Sequence, residues 1–195
     1  MKKNKFNLKR EYKDSLSYIK ESKNFIYFII GIFFVFALIG FFVPASEDLT
    51  KIILEFIEKL LEQTKDMSQG ELIKFIFANN LQSSFFGLVL GVVLGIFPVL
   101  AAITNGYLLG FVGAMSAEAE GFFSLCRILP HGIFELPAIF ISLGLGLKLG
   151  SFIFQKEKRK LFRKYFWNSL RVFLFVILPL LVIAAIIEGL LISIG

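Results

Sequence analysis

The apolar positions of this chain fall mainly in long uninterrupted runs, and that pattern predicts helices that cross a membrane. Residues 25–43 are 19 positions without a charge, stopped by Pro44. Roughly 20 apolar residues cross the hydrocarbon core as a helix. Residues 75–115 hold no charged side chain in 41 positions. One helix of that length would be about 60 Å long, against a core about 30 Å thick, so the run must turn back. Pro98 lies near its middle and divides it into spans over about 75–97 and 98–116. Two more runs predict spans over about 128–149 and 172–194. Pro130 falls in the first turn of the former, where a missing N–H costs little. The predicted fold class is all-α, a membrane protein built as a five-transmembrane-helix bundle. A cleaved signal peptide competes for the first run, because Val43-Pro44-Ala45 loosely resembles a cleavage site. The run is too long for a signal core, and its leader is of mixed charge.

Between the first two spans the period changes. Leu49, Ile52, Ile53, Phe56, Ile57, Leu60 and Leu61 recur at the spacing of one helical face within 46–66. Ser46 is placed to cap this helix, with Glu47 and Asp48 at its positive end. It is expected on the outer surface or docked on the bundle, and its acidic polar face disfavours anionic lipid. The stretch KEKRKLFRKYFWNSLR at 156–171 mixes basic residues with Phe and Trp, as an interfacial anchor does.

Composition agrees with the runs. Hydrophobic residues make up 56% and charged residues 18%, with mean hydropathy +0.76. A soluble domain carries about 45–50% apolar and 25% charged residues, so an ordinary soluble domain and a disordered chain are both excluded. The single cysteine, Cys126, excludes an intrachain disulfide framework and a Cys-pair zinc site, and reads as a small apolar filler. Charge sets the orientation. Residues 1–24 and the linker 148–171 carry eight Lys/Arg each, against four in 44–74 and one in 117–127. The positive-inside rule then places the basic N-terminal segment 1–24 and the linker in the cytoplasm and the C-terminus outside, in the cell membrane. The +6 net charge is thereby a topology signal, and no nucleic-acid motif accompanies it.

Glycines punctuate the spans: Gly87, Gly91 and Gly95, then Gly106, Gly110 and Gly113, then Gly144 and Gly146. Small residues at such spacing let helix backbones approach. Packing within the bundle is the plainer expectation for Gly87, Gly91, Gly95, Gly110 and Gly144, and a homo-oligomer or a partner's span the sharper one.

Polar groups inside the spans carry the candidate chemistry, since each costs several kcal/mol in lipid unless paired or hydrated. Span 2 opens with Asn79, Asn80, Gln82, Ser83 and Ser84, span 3 holds Thr104 and Asn105, span 4 His131 and Glu135, and span 5 Glu188. On the predicted topology Glu135 lies about 10 Å and Glu188 about 9 Å from the outer membrane face. His131 sits one turn from Glu135 on the same face, and Asn79 and Asn80 fall at a similar depth. Asn105 lies deeper, and the Gly106 after it suggests a break or local unwinding. Three readings are open: a structural polar knot that fixes register, a cation or proton site, or recognition of a lipid or a partner's polar group. His131, Glu135 and Glu188 are weak metal candidates, because an isolated HxxxE is poor evidence. No HExxH, GxSxG or second histidine is present, so no catalytic residue and no cofactor is expected.

The strings ANNLQSS at 78–84, Asn105-Gly106 with Gly110, PHGIFELPAI at 130–139 and Glu188-Gly189 together resemble the stage II sporulation protein M family over roughly residues 20–195. The resemblance implies an integral membrane domain of five spans over 25–195, with Asn79, Asn80, Asn105, Gly106, His131, Gly132, Glu135 and Glu188 as its intramembrane polar core. It also implies a non-enzymatic scaffold of a cell-envelope complex, which in sporulating relatives recruits peptidoglycan hydrolases. The expected partners are membrane lipids and other membrane or envelope proteins, cell-wall hydrolases among them, and no nucleic acid. The alternative function is a small permease or channel-like subunit using Glu135, His131 and Glu188 as a proton or cation site.

Overall fold

The computed structural model describes residues 7–194, with the side chains of all but 124, 126–134 and 188–194. Eight α-helices follow one another among the described residues: α1 (Leu8–Glu21), α2 (Lys23–Phe42), α3 (Glu47–Thr64), α4 (Gln69–Val89), α5 (Ile96–Glu120), α6 (Leu125–Gly150), α7 (Lys158–Val172) and α8 (Leu178–Ile194). Short 3-10 turns extend α4 and α6, and a π turn, Phe173–Ile177, joins α7 to α8. No strand occurs among the described residues. Five helical stretches there are long and apolar enough to cross a membrane: Lys23–Phe42, Gln69–Val92, Ile96–Glu120, Glu135–Phe154 and Lys158–Ile187.

Local chemistry sets the element ends. Asn7 caps α1, its side-chain oxygen accepting from Arg10 N at 3.3 Å. Ser46 caps α3 as expected, accepting from Leu49 N at 3.3 Å. A capping box of Ser68 and Glu71 starts α4, with Ser68 N donating to the Glu71 carboxylate at 2.9 Å. These bonds satisfy donors that the first turn of a helix leaves without partners.

Three expectations need correction. The reversal between spans 2 and 3 lies at residues 93–95 and not at Pro98. Leu94 and Gly95 take positive φ values of 56° and 71° there, and Gly95 N still donates to Gly91 O at 2.8 Å. Pro98 is the third residue of α5, where a helix tolerates the missing N–H; proline opens the helix and does not divide the run. Gly95 accordingly belongs to the turn. Second, α5 runs unbroken through Asn105 and Gly106, so no unwinding occurs. Third, α6 begins at Leu125, which puts Pro130 beyond its first turn. The basic linker is largely helical, and α7 runs through the π turn into α8 without an extended segment.

Two glycine seams organise the bundle. Along α2 and α5, Gly106 packs on the Phe33 backbone, Gly110 on those of Ala37 and Phe41, and Gly40 on those of Tyr107 and Phe111. Residue numbers rise together on both helices, so the pair is parallel. Along α4 and α6, Gly87 meets Leu143, Gly91 meets Gly146, and Gly150 meets Gly95; this pair is parallel as well. Gly144 seats α6 on Ile26 of α2. With no Cβ between them, the backbones come into direct contact, which gains dispersion energy that lipid cannot supply. The glycines thus serve packing within the bundle. Phe33 and Phe140 stack edge-on across α2 and α6 at 5.0 Å. Leu145, Leu149, Ile177 and Leu181 close a second core where α6 meets α8. By contrast α3 leaves Ile52, Phe56 and Leu61 exposed and buries only Ile53.

Candidate functional site

The most concentrated polar chemistry among the described side chains lies at the basic end of the bundle, around Lys148. This residue occupies the last turn of α6, where a cation complements the exposed carbonyls. It is only 4% exposed. Its ammonium group donates to Glu21 Oε1 at 3.1 Å and to Ser22 Oγ at 3.0 Å. It also stands 4.1 Å from the centre of the Tyr18 ring and 5.3 Å from that of Tyr165. A buried ammonium needs such company, because leaving a charge unpaired in the interior costs several kcal/mol, and aromatic faces supply part of it.

Sequence builds this cluster from distant segments. Tyr18, Glu21 and Ser22 close α1 and open α2, Tyr165 comes from α7, and Lys148 from α6. Ser22 Oγ donates to Tyr18 O at 2.7 Å, fixing the hinge between the first two helices. Lys164 reaches the same Glu21 oxygen at 3.5 Å. Farther along, Arg171 Nε pairs with Glu11 at 2.7 Å and its Nη1 with Asp14 at 3.8 Å. The acidic side of α1 therefore lies antiparallel along basic α7, and the two lysine- and arginine-rich segments meet at one end of the bundle, as five spans require. Burial works against the Glu21 carboxylate, but the Lys148 hydrogen bond and the Lys148 and Lys164 charges outweigh it and hold its carboxyl below the usual range. Burial raises the Tyr18 phenol above its ordinary value. The Tyr18 and Ser169 hydroxyls are buried in the same interface.

The residues read from sequence as a polar core are placed less uniformly. Asn80 is buried and Asn79 exposed on α4. Ser84, one turn on from Asn80, accepts through its carbonyl from Ser142 Oγ at 2.6 Å, a buried polar tie between α4 and α6. Glu135 is half-buried and has a partner. Asn105 is exposed, and its amide donates to Ala101 O of its own helix at 2.7 Å. Gly106 serves the α2 seam. The side chains of His131, Gly132 and Glu188 lie outside the described residues, and with them the expected meeting of His131, Glu135 and Glu188. Among the described residues, no three His, Cys, Asp or Glu side chains gather as a metal ion would need.

The sequence profile described as stage II sporulation protein M matches residues 29–191. The chain belongs to that family. It is also 31% identical, over 149 residues, to an uncharacterized protein of Methanocaldococcus jannaschii, a match covering 71% of this chain and 65% of that protein. The chain thus spans just under two thirds of this relative's length. No solved structure matches the chain. The stage II sporulation protein M match takes in the glycine seams, Lys148 and Tyr165, and begins after Tyr18, Glu21 and Ser22. The partners of the buried lysine on α1 are therefore outside the matched range.

Sequence reading missed Lys148. It stood as the first residue of the basic cytoplasmic linker, since a lysine after an apolar run reads as a boundary. Only α1, packed back over it, makes it interior. The available signal was the acid at the end of a basic segment: Glu21 lies among Lys20 and Lys23, immediately before the first span.

Proposed function

We propose that this stage II sporulation protein M family member is a non-enzymatic membrane scaffold in a cell-envelope complex, with its basic end in the cytoplasm. The observation that carries this reading is the closure of both central seams by backbone contact at Gly106, Gly110, Gly91 and Gly146. Helices held that closely favour a fixed framework over a solute path between them. Two grooves of about 470 and 430 Å³ lie on the outside of the bundle near its basic end. The lysine and arginine concentrated on α1 and α7 support that orientation.

The acidic helix α3 gives such a scaffold a contact face at the opposite end. Ile52 and Leu61 are 63% and 64% exposed, while Glu55, Glu58 and Glu62 keep the helix away from anionic headgroups. A protein partner in the envelope suits that combination better than lipid does.

Two measurements, each on its own variant, test the reading. Glu135→Gln is expected to leave ion and solute flux in liposomes at the empty-vesicle level, as wild type does. Phe56→Ser on α3 is expected to lower recovery of co-purifying envelope proteins from mild detergent while the chain itself stays folded. Flux in wild-type liposomes that Glu135→Gln abolishes would replace the scaffold by a permease with a carboxylate in its path.

A further inference from the structure

One of the two grooves has an apolar wall that carries two polar-ended side chains. It lies between α1 and the entry of the fifth span, is about 470 Å³ in volume, and is lined by Leu8, Lys9, Tyr12, Leu174, Phe175 and Pro179. That volume is within the range of small-ligand pockets, about 300–1,000 Å³. Its wall is almost wholly apolar, and Lys9 and Tyr12 are the lining residues that carry polar groups, at the end of their side chains.

Helical geometry explains the arrangement. α1 turns Ser15 and Tyr18 inward and sets Glu11 and Asp14 against Arg171. Leu8, Tyr12 and Leu16, four residues apart, form the neighbouring stripe and all remain exposed. Lys9, Lys13 and Lys20 fall along the far border of that stripe at 100° per residue. An apolar stripe edged by lysines is the pattern of a helix at a lipid surface, with the lysine stems on hydrocarbon and the ammonium groups among headgroups. The facing wall comes from the π turn, which contains Leu174 and Phe175; such turns often sit at functional sites. Arg171 is the last charged residue before the apolar run, and Pro179 follows about 12 Å farther along the helix. The groove therefore extends from headgroup level to the upper acyl chains.

We propose that this groove binds one anionic phospholipid of the inner leaflet, its headgroup on Lys9 and Tyr12 and an acyl chain against Leu174, Phe175 and Pro179. The assignment rests on the basic end facing the cytoplasmic leaflet, and cysteine labelling at Lys158 reports that orientation independently of any lipid. In the test, the full chain is exchanged in mixed micelles holding equal phosphatidylglycerol and phosphatidylcholine, and retained lipid is counted by native mass spectrometry. Wild type is expected to retain phosphatidylglycerol preferentially. Lys9→Gln lowers that retention about five-fold, the equivalent of about 1 kcal/mol for one basic group at an anionic surface. Lys160→Gln, at an exposed basic position of α7, leaves it unchanged, and Leu174→Trp, which fills the groove, lowers retention of both lipids. Equal losses in Lys9→Gln and Lys160→Gln would mean diffuse attraction to a basic surface and would overturn the site. So would full retention in Leu174→Trp, or no preference in wild type.

Discussion

Removing Glu21 should harm this protein more than removing the lysine it pairs with. In Glu21→Ala the Lys148 ammonium, 4% exposed, keeps the Ser22 hydroxyl and two aromatic faces but loses its counter-charge. Breaking a buried ion pair costs about 3–5 kcal/mol. The Glu21 side chain is itself half exposed, so water screens the pair and about 2 kcal/mol is the better figure. In Lys148→Met an apolar chain of similar reach lies between the same rings. The carboxylate left behind is half in water and still 3.5 Å from Lys164, so the loss is about 1 kcal/mol or less. The double variant should be more stable than Glu21→Ala alone, because no unpaired charge is buried in it. For a chain of this size 1 kcal/mol corresponds to about 2–4 °C in Tm. Thermal unfolding in detergent at one scan rate, followed through Trp167 on α7, should show Glu21→Ala lowest, with the double variant above it and Lys148→Met highest of the three. A Lys148→Met variant less stable than Glu21→Ala, or strictly additive losses, would refute the view that Lys148 is a desolvated cation held by Glu21.

The same pair predicts a pH response. The Glu21 carboxyl titrates below its usual value in the folded chain, so its contribution is complete above about pH 4.5 and is lost as pH falls through the folded value; Tm of wild type should fall more steeply on acidification than Tm of Glu21→Gln. Gly95→Ala should lower Tm by several degrees, since φ is +71° and the added carbon would stand 2.6 Å from Leu147 Cδ1; left-handed backbone alone costs a non-glycine residue about 1–2 kcal/mol. Gly110→Leu should separate α2 from α5 and abolish a monodisperse gel-filtration peak, whereas Gly31→Leu, which meets nothing within 4 Å, should leave the peak in place.

Sequence spoke most clearly where one physical requirement dominated. An uncharged run of 41 residues cannot be one membrane helix, so the five spans and the reversal were legible. Ser46 followed by two acids and an apolar stripe fixed the start of α3. The place of the reversal was misread because proline attracts attention as a breaker, while the first turn of a helix accepts it; Gly95, with its positive φ, was the better marker. Asn105-Gly106 was misread for a related reason. The glycine there answers the approach of Phe33 from α2, a need that α5 alone cannot reveal. Lys148 was missed because its burial depends on α1, packed against it from 127 positions away, and Glu21 was the one local sign of it. Among the proposed polar residues, Asn80 is buried on α4 while Asn105 faces outward, a difference set by the rotation of each helix and invisible in a string of letters.

Orientation underlies both the scaffold and the lipid groove. With Cys126→Ser as background, Met67→Cys and Lys158→Cys are each exposed to a membrane-impermeant maleimide on intact cells. The account predicts that position 67 is labelled at once and position 158 only after permeabilisation. Labelling of both positions on intact cells, or of position 158 alone, would contradict it.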